Sequence, residues 1–583
     1  MTSMFSSHSS VRTMSKDVDP ADLMGLCKRR GFIWPSFEVY GGVAGMYDYG
    51  PLGCALKNNI VEVWRSIYKG REGFVEIDSE TVNPREVFKA SGHVDEFADK
   101  ITYCTKCQAP FRADHLVKEF YENPDVLSLK ELDEAFVKHG VKCPECGGDL
   151  GPTDEFNLMF KTNIGPGSSR VGYLRPETAQ GIFVNYNNLY RYNREKLPLG
   201  VIQTGRSYRN EIAPRQGMIR MREFNQMEVE LFVDPEDKGW VRYDAIKDEK
   251  ITLIPNTTEQ AVEMTIDEAV NKGIIANKVL AYFVNTTKQL LLRLGIDSAR
   301  LRFRQHLEDE MAHYAADCWD AEVLLSYGWM EITGIADRGC WDLSRHAQFS
   351  GTDMSHFKKF DEPVEMEVDK VKAKHKLLGP KFKAKAKDIA ALIEAADPEM
   401  ARSGKITVDV DGEAVELTDE FYEVVRVTEK VSGKRVIPHV IEPSHGLDRI
   451  FYSILEQAYD YDEKEDYTVL HLAPEVAPIK VGVFPLMEKD GLDTYAMELY
   501  EGLQSGGIAS VYDGSGTIGK RYARMDEVGT PYCVTVDYES LEGDLRGTVT
   551  IRDRDSKEQK RVPAEKVGEI VRKLMSGADF AKI

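Results

Sequence analysis

The chain has 583 residues, of which 42% are hydrophobic and 29% charged, a composition typical of a soluble globular protein with several domains and not of a fibrous or disordered one. Its formal net charge of −21 disfavours general adsorption to nucleic acid, so any RNA contact needs a local basic patch. The sequence contains neither an apolar run of about 18 residues nor the apolar core of a secretory signal, so we predict a cytoplasmic protein without membrane contact.

The N-terminal stretch, residues 1–19, is predicted to be a disordered extension, because it is rich in serine and Met14 reads as an alternative start. Folded sequence begins near Pro20 with a short amphipathic helix. From there to residue 472, strands and helices interleave without the regular alternation of a parallel sheet. This pattern predicts an α+β fold built on an antiparallel sheet.

Four of the nine cysteines form two CxxC pairs separated by 35 residues: Cys104, Cys107, Cys143 and Cys146. Each pair can place two thiolates on one tetrahedral ion, and the two glycines after the second pair suit a tight turn. The spacing predicts a structural Zn²⁺ site in an insertion at about 104–150. A redox pair and unliganded thiols are the alternatives.

Residues 201–234 contain two strand-like runs around a polar turn, which is the pattern of an antiparallel hairpin. Apolar side chains share one parity of the second run. The other parity carries two arginines, an aromatic ring, an amide and two carboxylates: Arg220, Arg222, Phe224, Gln226, Glu228 and Glu230. One face is therefore predicted to pack in a core and the other to bind a ligand; a solvated strand is the alternative.

A second insertion is predicted at 356–436, where residues 370–387 carry eight lysines: Lys370, Lys372, Lys374, Lys376, Lys381, Lys383, Lys385 and Lys387. The run is either a basic patch for RNA or a solvated lysine-rich helix.

The C-terminal part alternates strands and helices, which predicts a separate α/β domain at 473–583. Its GSGTIGKR segment resembles a phosphate loop but has Arg521 where such a loop needs Ser or Thr after the lysine. A nucleotide-dependent oxidoreductase or a phosphate-loop ATPase is therefore disfavoured.

Several motifs together resemble one enzyme family. RNEIAPR and MREF resemble motif 2 of class II aminoacyl-tRNA synthetases, in the form found in glycyl-tRNA synthetases. In chain order, FVEIDSETVNP resembles motif 1, LRPETAQGIFVNY the amino-acid pocket, VIEPSHGLDRIFYSILEQAY motif 3, and residues 473–583 the anticodon-binding domain. The resemblance extends from Pro20 to the C-terminus.

Membership would imply a six- or seven-stranded catalytic sheet, a homodimer, and a ligase that activates glycine with ATP and Mg²⁺ and transfers it to the 3′ end of tRNA(Gly). A non-catalytic RNA-binding or regulatory paralogue is the alternative. Such a paralogue would lack Arg209, Glu331 or Arg449, the three residues that the resemblance assigns to catalysis, and all three are present.

The resemblance also implies the ATP contacts. Arg209 would hold the α-phosphate and the glycine carboxylate, and Arg449 the γ-phosphate, because guanidinium groups suit oxyanions. Glu331 would hold Mg²⁺ between the phosphates. The set is completed by Asn210, Glu211, Ile219, Arg220, Phe224, Ile332 and Gly446, with Arg449 near the start of an amphipathic helix.

The glycine contacts implied by the resemblance are Arg112, Glu177, Glu228, Glu442 and Ser444. Three carboxylates around one site repel each other unless they enclose a cation, and the ammonium of an amino acid is such a cation. Since larger amino acids would be excluded by their size, no editing domain is required. Asp448 departs from the glycine that some family members have and places a carboxylate beside the nucleotide.

Overall fold

The computed structural model describes residues 18–583, except for 122, 168, 215–216, 308–310, 312–314, 411–412 and 463–466. Of the predicted extension 1–19, residues 1–17 lie outside the described part of the chain. The described chain forms two compact units, one of residues 355–437 and one of the remainder. None of the described helices is long and apolar enough to cross a membrane.

The centre of the larger unit is a nine-stranded sheet. In spatial order its strands are Val262–Thr265, Lys250–Ile254, Leu301–Gln305, Asp317–Leu325, Gly328–Gly339, His439–Gly446, Glu223–Val233, Leu199–Tyr208 and Val75–Glu76. Adjacent strands from the third to the eighth pair antiparallel, whereas the third and the eighth each pair in parallel with the outer strand beside them. The predicted six or seven strands were too few, because three short outer strands extend this antiparallel centre.

Helices cover one face of the sheet and bury its apolar side chains. The helices of the larger unit before the C-terminal region are Pro20–Arg30, Pro51–Arg65, Arg85–Ala90, His93–Glu96, Leu129–His139, Ala179–Val184, Tyr186–Tyr192, Ile266–Asn271, Lys278–Arg293, Trp341–Ser350 and Leu447–Ala458. The last is amphipathic as predicted, and its side chains at Ile450, Phe451 and Leu455 are completely buried. The main core lies between this face and three of the helices, Pro51–Arg65, Lys278–Arg293 and Leu447–Ala458.

The predicted hairpin is present as Leu199–Tyr208 paired with Glu223–Val233. Its second strand begins at Glu223, because Gly217–Ile219 form a 3₁₀ turn. Met227, Val229 and Leu231 pack in the main core. The side chains of opposite parity, Gln226, Glu228 and Glu230, are buried as well, although they are polar. The second face of the sheet is therefore an enclosed polar site and not a solvated surface.

Small sheets surround this centre. Two have three strands each: Val82–Pro84, Val171–Leu174 and Lys161–Asn163 in one, and Pro110–Arg112, Ala98–Tyr103 and Asp154–Asn157 in the other. Two are pairs: Ile33–Pro35 with Tyr47–Tyr49, and Tyr459–Asp462 with Tyr467–Leu470. The cysteine-bearing insertion is joined to the second of the three-stranded sheets, so the structural element extends beyond 104–150 on both sides.

The C-terminal region has a five-stranded sheet with its own core. The strand order is Ser510–Tyr512, Val481–Pro485, Tyr532–Val536, Thr548–Asp553 and Gln559–Pro563, parallel across the first three and antiparallel after them. Its helices are Leu492–Ser505, Ile518–Glu527, Tyr538–Leu541 and Val567–Met575. The GSGTIGKR segment leads into the second of these helices.

The connection into this region is packed against the catalytic part. Val476 and Ala477, which follow the boundary predicted at 472/473, are completely buried in the main core. Asn59 donates hydrogen bonds of 3.0 Å to both of their carbonyl oxygens. Arg554, in the C-terminal region, donates to the carbonyl of Leu472 at 2.9 Å. The first strand of the C-terminal sheet begins only at Val481.

The smaller unit, residues 355–437, covers the region predicted as the lysine-containing insertion 356–436. It pairs the long strands His356–Ala373 and Tyr422–Val436, and Lys405–Val410 with Glu413–Thr418, beside the helices His375–Phe382, Ala386–Glu394 and Pro398–Ala401. The eight lysines do not share one helix. Lys370 lies on a strand and pairs with Glu429, while Lys381 lies over the ring of Phe421.

Candidate active site

A cavity opens on the polar face of the central sheet, between the hairpin and the strands Gly328–Gly339 and His439–Gly446. Nine of the residues predicted to bind ATP line it: Arg209, Glu211, Ile219, Arg220, Phe224, Glu331, Ile332, Gly446 and Arg449. Ser444, predicted to contact glycine, lines it too. The fold thus brings together side chains that are up to about 240 positions apart in the sequence.

Arg209 lies between two aromatic rings. The centre of its guanidinium group is 5.3 Å from the ring centroid of Phe224 and 5.4 Å from that of Phe97. Its Nε also donates to the carbonyl of Pro176 at 3.3 Å. Such an arginine is held in one orientation by weakly polar neighbours, which leaves its remaining N–H groups suited to binding an anion.

The two other arginines in the cavity are paired with two of its carboxylates. Arg220 Nε lies 2.7 Å from Glu211 Oε2, and Arg449 Nη1 lies 3.2 Å from Glu331 Oε2. A ligand with phosphates would have to compete for these arginines. The same ligand would release the carboxylates to accept an amino group or a cation.

Asp448 also lines the cavity, and its carboxylate has a structural role. It accepts hydrogen bonds from the hydroxyl of Tyr49, from the backbone N–H of Asn225 and, at 3.0 Å, from Asn225 Nδ2. Asp448 therefore ties the motif 3 helix to the strand position next to Phe224. Its carboxylate is thus paired with protein donors and does not stand unpaired beside a ligand.

Five predicted residues lie outside the lining of this cavity: the carboxylates Glu177, Glu228 and Glu442, which form a separate group beside it, and Arg112 and Asn210. Arg112 pairs with Asp99 at 3.1 Å and with Asp114 at 2.7 Å. Burial opposes any rise in the pKa of Arg112, but the carboxylates of Asp114 and Asp99, with a smaller part from Glu211, raise it. Asn210 donates its backbone N–H to the carbonyl of Leu158 at 2.6 Å.

The three carboxylates predicted to hold glycine form a buried group beside the cavity. Glu228 accepts from the hydroxyls of Thr178 and Ser444, the latter at 3.1 Å. Glu442 accepts from Arg338 Nη1 at 2.7 Å. Glu177 accepts from Gln180 Nε2 at 2.8 Å and faces the ring of His93.

The carboxylates differ strongly in pKa. Burial and the charge of Glu177 raise the pKa of Glu228 to about 7. Burial raises the pKa of Glu442 to about 8, despite the opposing charge of Arg338. Burial would also raise the pKa of Glu177, but the charges of His93 and Arg338 hold it below its usual range. The group therefore exchanges protons near neutral pH.

Sequence reasoning missed Arg338, which organises this group. It is 5% exposed, and it donates two hydrogen bonds to Asp342, at 2.7 and 2.9 Å, besides the one to Glu442. Glu230 lies in the same group with both carboxylate oxygens buried and without a hydrogen-bond partner among the described residues. An arginine in a strand usually reads as solvent-facing, so no local signal in the sequence marked Arg338 as a site residue.

The four predicted zinc ligands lie together. The Sγ atoms of Cys104 and Cys146 are 3.5 Å apart, and those of Cys107 and Cys143 are 3.7 Å apart. All four sulfur atoms lie within 4.8 Å of one another. The backbone N–H groups of Cys107 and Lys106 donate to Cys104 Sγ, which lowers the pKa of that thiol to about 6. This arrangement can hold a metal ion.

Comparison with known proteins gives matches along the whole chain. Residues 166–253 match the tRNA synthetase class II core domain (G, H, P, S and T), and residues 480–574 match the anticodon binding domain. The chain is 50% identical over 559 residues to a glycine–tRNA ligase of Methanothrix thermoacetophila, covering 95% of this chain and 96% of that protein. It is 48% identical over 577 residues to the glycine–tRNA ligase of Methanocaldococcus jannaschii, covering 96% and 98%. The chain therefore belongs to the glycine–tRNA ligase family of class II aminoacyl-tRNA synthetases.

Proposed function

We propose that this chain is a glycine–tRNA ligase that activates glycine with ATP and transfers it to the 3′ end of tRNA(Gly), with the residue roles given below. The observation that carries the proposal is the position of a buried group of carboxylates directly beside an arginine-lined cavity. Activation of an amino acid needs both features, because carboxylates stabilise its ammonium group and arginines stabilise the phosphate that it attacks.

In the activation step, Arg209 bridges the glycine carboxylate and the α-phosphate of ATP, so that charge is neutralised as the carboxylate attacks phosphorus. Phe224 stacks on the adenine, and Glu211 accepts from its amino group. Arg220 and Arg449 turn from Glu211 and Glu331 to the γ-phosphate, which aligns pyrophosphate as an in-line leaving group. No general base is needed, because the nucleophile is already ionised.

The start of the motif 3 helix supports the phosphates. Gly446 is its N-cap, and the helix Leu447–Ala458 directs its N-terminal end toward the cavity that Gly446 and Arg449 line. Mg²⁺ would be held by Glu331, a half-exposed carboxylate in the cavity, and would supply charge neutralisation between the phosphates.

Glycine lies with its ammonium among Glu177, Glu228 and Glu442. Arg338 prevents these carboxylates from repelling one another in the empty site, and protons on Glu228 and Glu442 lower the charge further. When the ammonium enters, it replaces those protons as the neutralising charge. Ser444, between the two sites, holds Glu228 in place.

This arrangement predicts a pH dependence for glycine. Below their raised pKa values Glu228 and Glu442 are neutral and cannot pair with an ammonium, whereas above those values they are charged. The KM for glycine should therefore fall as the pH rises from 6 to 8, while the KM for ATP changes little. Steady-state pyrophosphate exchange across this range measures both values, and a glycine KM that is constant or rises with pH would contradict the assignment.

Changing Glu228 to Gln should raise the glycine KM at pH 8 by about 10- to 150-fold, because loss of a charged hydrogen bond costs roughly 1.5–3 kcal/mol. The ATP KM should stay within about twofold, and the pH dependence of the glycine KM should flatten. Glu223→Gln is the matched control, since Glu223 lies on the same strand but pairs with the exposed Arg206. Equal increases in the KM values for glycine and ATP would refute the assignment of Glu228 to the glycine pocket.

We propose that the four cysteines hold one structural Zn²⁺. Their sulfur atoms lie close enough together to bind one tetrahedral ion, and two backbone N–H groups stabilise the thiolate of Cys104. Metal analysis of the purified chain should find zinc at this site, and Cys143→Ser should remove it and unfold the surrounding insertion. Limited proteolysis within 98–157 measures that unfolding. A Cys143→Ser protein that contains no zinc and yet resists proteolysis as well as the wild type would contradict a structural role for the metal ion.

The C-terminal region would bind the tRNA anticodon, and the chain would work as a homodimer, as the family resemblance implies. The decisive test of the function is amino-acid-dependent exchange of pyrophosphate into ATP, followed by charging of tRNA(Gly). Glycine should support exchange, and alanine and serine should not. Exchange with serine but not glycine would leave the class II chemistry in place and overturn the amino-acid assignment.

A further inference from the structure

A second group of metal-type ligands lies outside the cysteine cluster. Among the described residues, His306, Cys318 and Asp320 place one ligand atom each within 4.8 Å of the others. Cys318 and Asp320 lie on the strand Asp317–Leu325 of the central sheet, and His306 directly follows the adjacent strand Leu301–Gln305. No role in the proposed activation of glycine uses any of the three.

The backbone explains why these side chains meet. The N–H of His306 donates to the carbonyl of Cys318 at 3.0 Å, so the two residues lie side by side across the strands. Cys318 and Asp320 are two positions apart on one strand and therefore face the same side of the sheet. His306 Nε2 lies 2.9 Å from Asp320 Oδ2, and both side chains are mostly buried.

The group is open toward the nucleotide cavity. Asp320 is paired in register with Gly334, which lines that cavity and has no side chain that would separate Asp320 from it. A Cβ built on Gly334 would stand 3.9 Å from Asp320 Oδ1. The negative charge of Glu331 acts on both Cys318 and Asp320, so a cation here would gain from a negative group beyond its own ligands.

We propose that His306, Cys318 and Asp320 bind one borderline divalent transition-metal ion, such as Zn²⁺, at a site distinct from both the four-cysteine cluster and the Mg²⁺ of ATP. One imidazole nitrogen, one sulfur and one carboxylate oxygen are all zinc ligands, and three protein ligands leave a fourth position for water. Mg²⁺ is a poor occupant because it prefers oxygen ligands throughout.

Arg304 is the neighbour that a metal ion would displace. Its Nη2 lies 3.5 Å from Asp320 Oδ2, whereas its Nε donates to Glu322 at 3.2 Å. The arginine therefore keeps a carboxylate partner when Asp320 turns to a metal ion. Burial raises the pKa of the Cys318 thiol, so the ion has to displace a proton from the sulfur.

Cadmium-113 NMR of the full chain in excess Mg²⁺ tests the proposal. The wild type should give two resonances, one in the range of four sulfur ligands and one in the range of a single sulfur. Cys318→Ser and His306→Gln should each lose the single-sulfur resonance and keep the other. Cys340→Ser is the matched control, a half-buried cysteine outside both groups, and should keep both resonances.

Tryptophan fluorescence checks that each variant retains its packing, since Trp319, which stands between Cys318 and Asp320 in the sequence, is completely buried. A wild type with only the four-sulfur resonance overturns the proposal. So does a single-sulfur resonance that persists in both Cys318→Ser and His306→Gln. Glycine-dependent exchange is measured on the same samples, so failure of this site is distinguishable from failure of the proposed function.

Discussion

Replacing Arg209 with Gln should lower kcat/KM for glycine-dependent pyrophosphate exchange by about 10²–10³-fold, which is the usual effect of removing one preorganised donor to a developing charge. The loss should be this large because the guanidinium is fixed between Phe97 and Phe224 and no other described arginine takes that place. Arg209→Lys should recover little, since an ammonium cannot bridge two oxyanions as a planar fork does.

Arg206→Gln is the matched control for Arg209. Arg206 lies on the same hairpin, but its side chain is exposed and pairs with Glu223. We expect less than a twofold change in exchange for this variant. Similar losses in Arg206→Gln and Arg209→Gln would show that the hairpin had been damaged in general, and near-normal exchange in Arg209→Gln would remove Arg209 from the reaction.

The second large effect should follow from Arg338→Met. Removing the buried guanidinium from this group of carboxylates leaves uncompensated charge, which typically costs about 3–5 kcal/mol of stability. The catalytic region should unfold at markedly lower urea, as measured by tryptophan fluorescence. Because protonation relieves the repulsion, the loss should be greater at pH 8 than at pH 6.

The variant Arg338→Met/Asp342→Asn supplies the control for this effect. Asp342 accepts two hydrogen bonds from Arg338, so neutralising it removes part of the excess charge. The double variant should regain part of the lost stability. A single variant as stable as the wild type at both pH values, or a double variant less stable than the single one, would contradict this role for Arg338.

The elements that sequence reasoning predicted well are those whose signal is local. The hairpin at 199–233 and the helix Leu447–Ala458 follow from period-two and period-3.6 patterns within one segment each. The two CxxC pairs likewise predict that the four cysteines lie together, because each pair supplies two of the four ligands of a tetrahedral ion. The family resemblance supplied the ATP-site residues, nine of which line one cavity.

The features that sequence reasoning missed depend on partners that are distant along the chain. Arg338 becomes a site residue only because Glu442 folds next to it, 104 positions away. Asp448 looked like an extra charge on the nucleotide until its partners, Tyr49 and Asn225, were known. The single helix considered as one alternative for the lysines of 370–387 does not form, and the sequence could not exclude it because strand and helix lysines cannot be told apart where every polar position is solvated.

The connection between the catalytic part and the C-terminal region is packed into the main core. With Val476 and Ala477 in the main core and Arg554 bonded to Leu472, the catalytic part and the C-terminal region would contact the two ends of a bound tRNA at a fixed separation. An RNA with the right loop but a longer or shorter arm would therefore reach only one of these two regions. It also follows that a protein cut at residue 472 would lose part of its catalytic core, whereas a cut after Lys480 would leave that core whole.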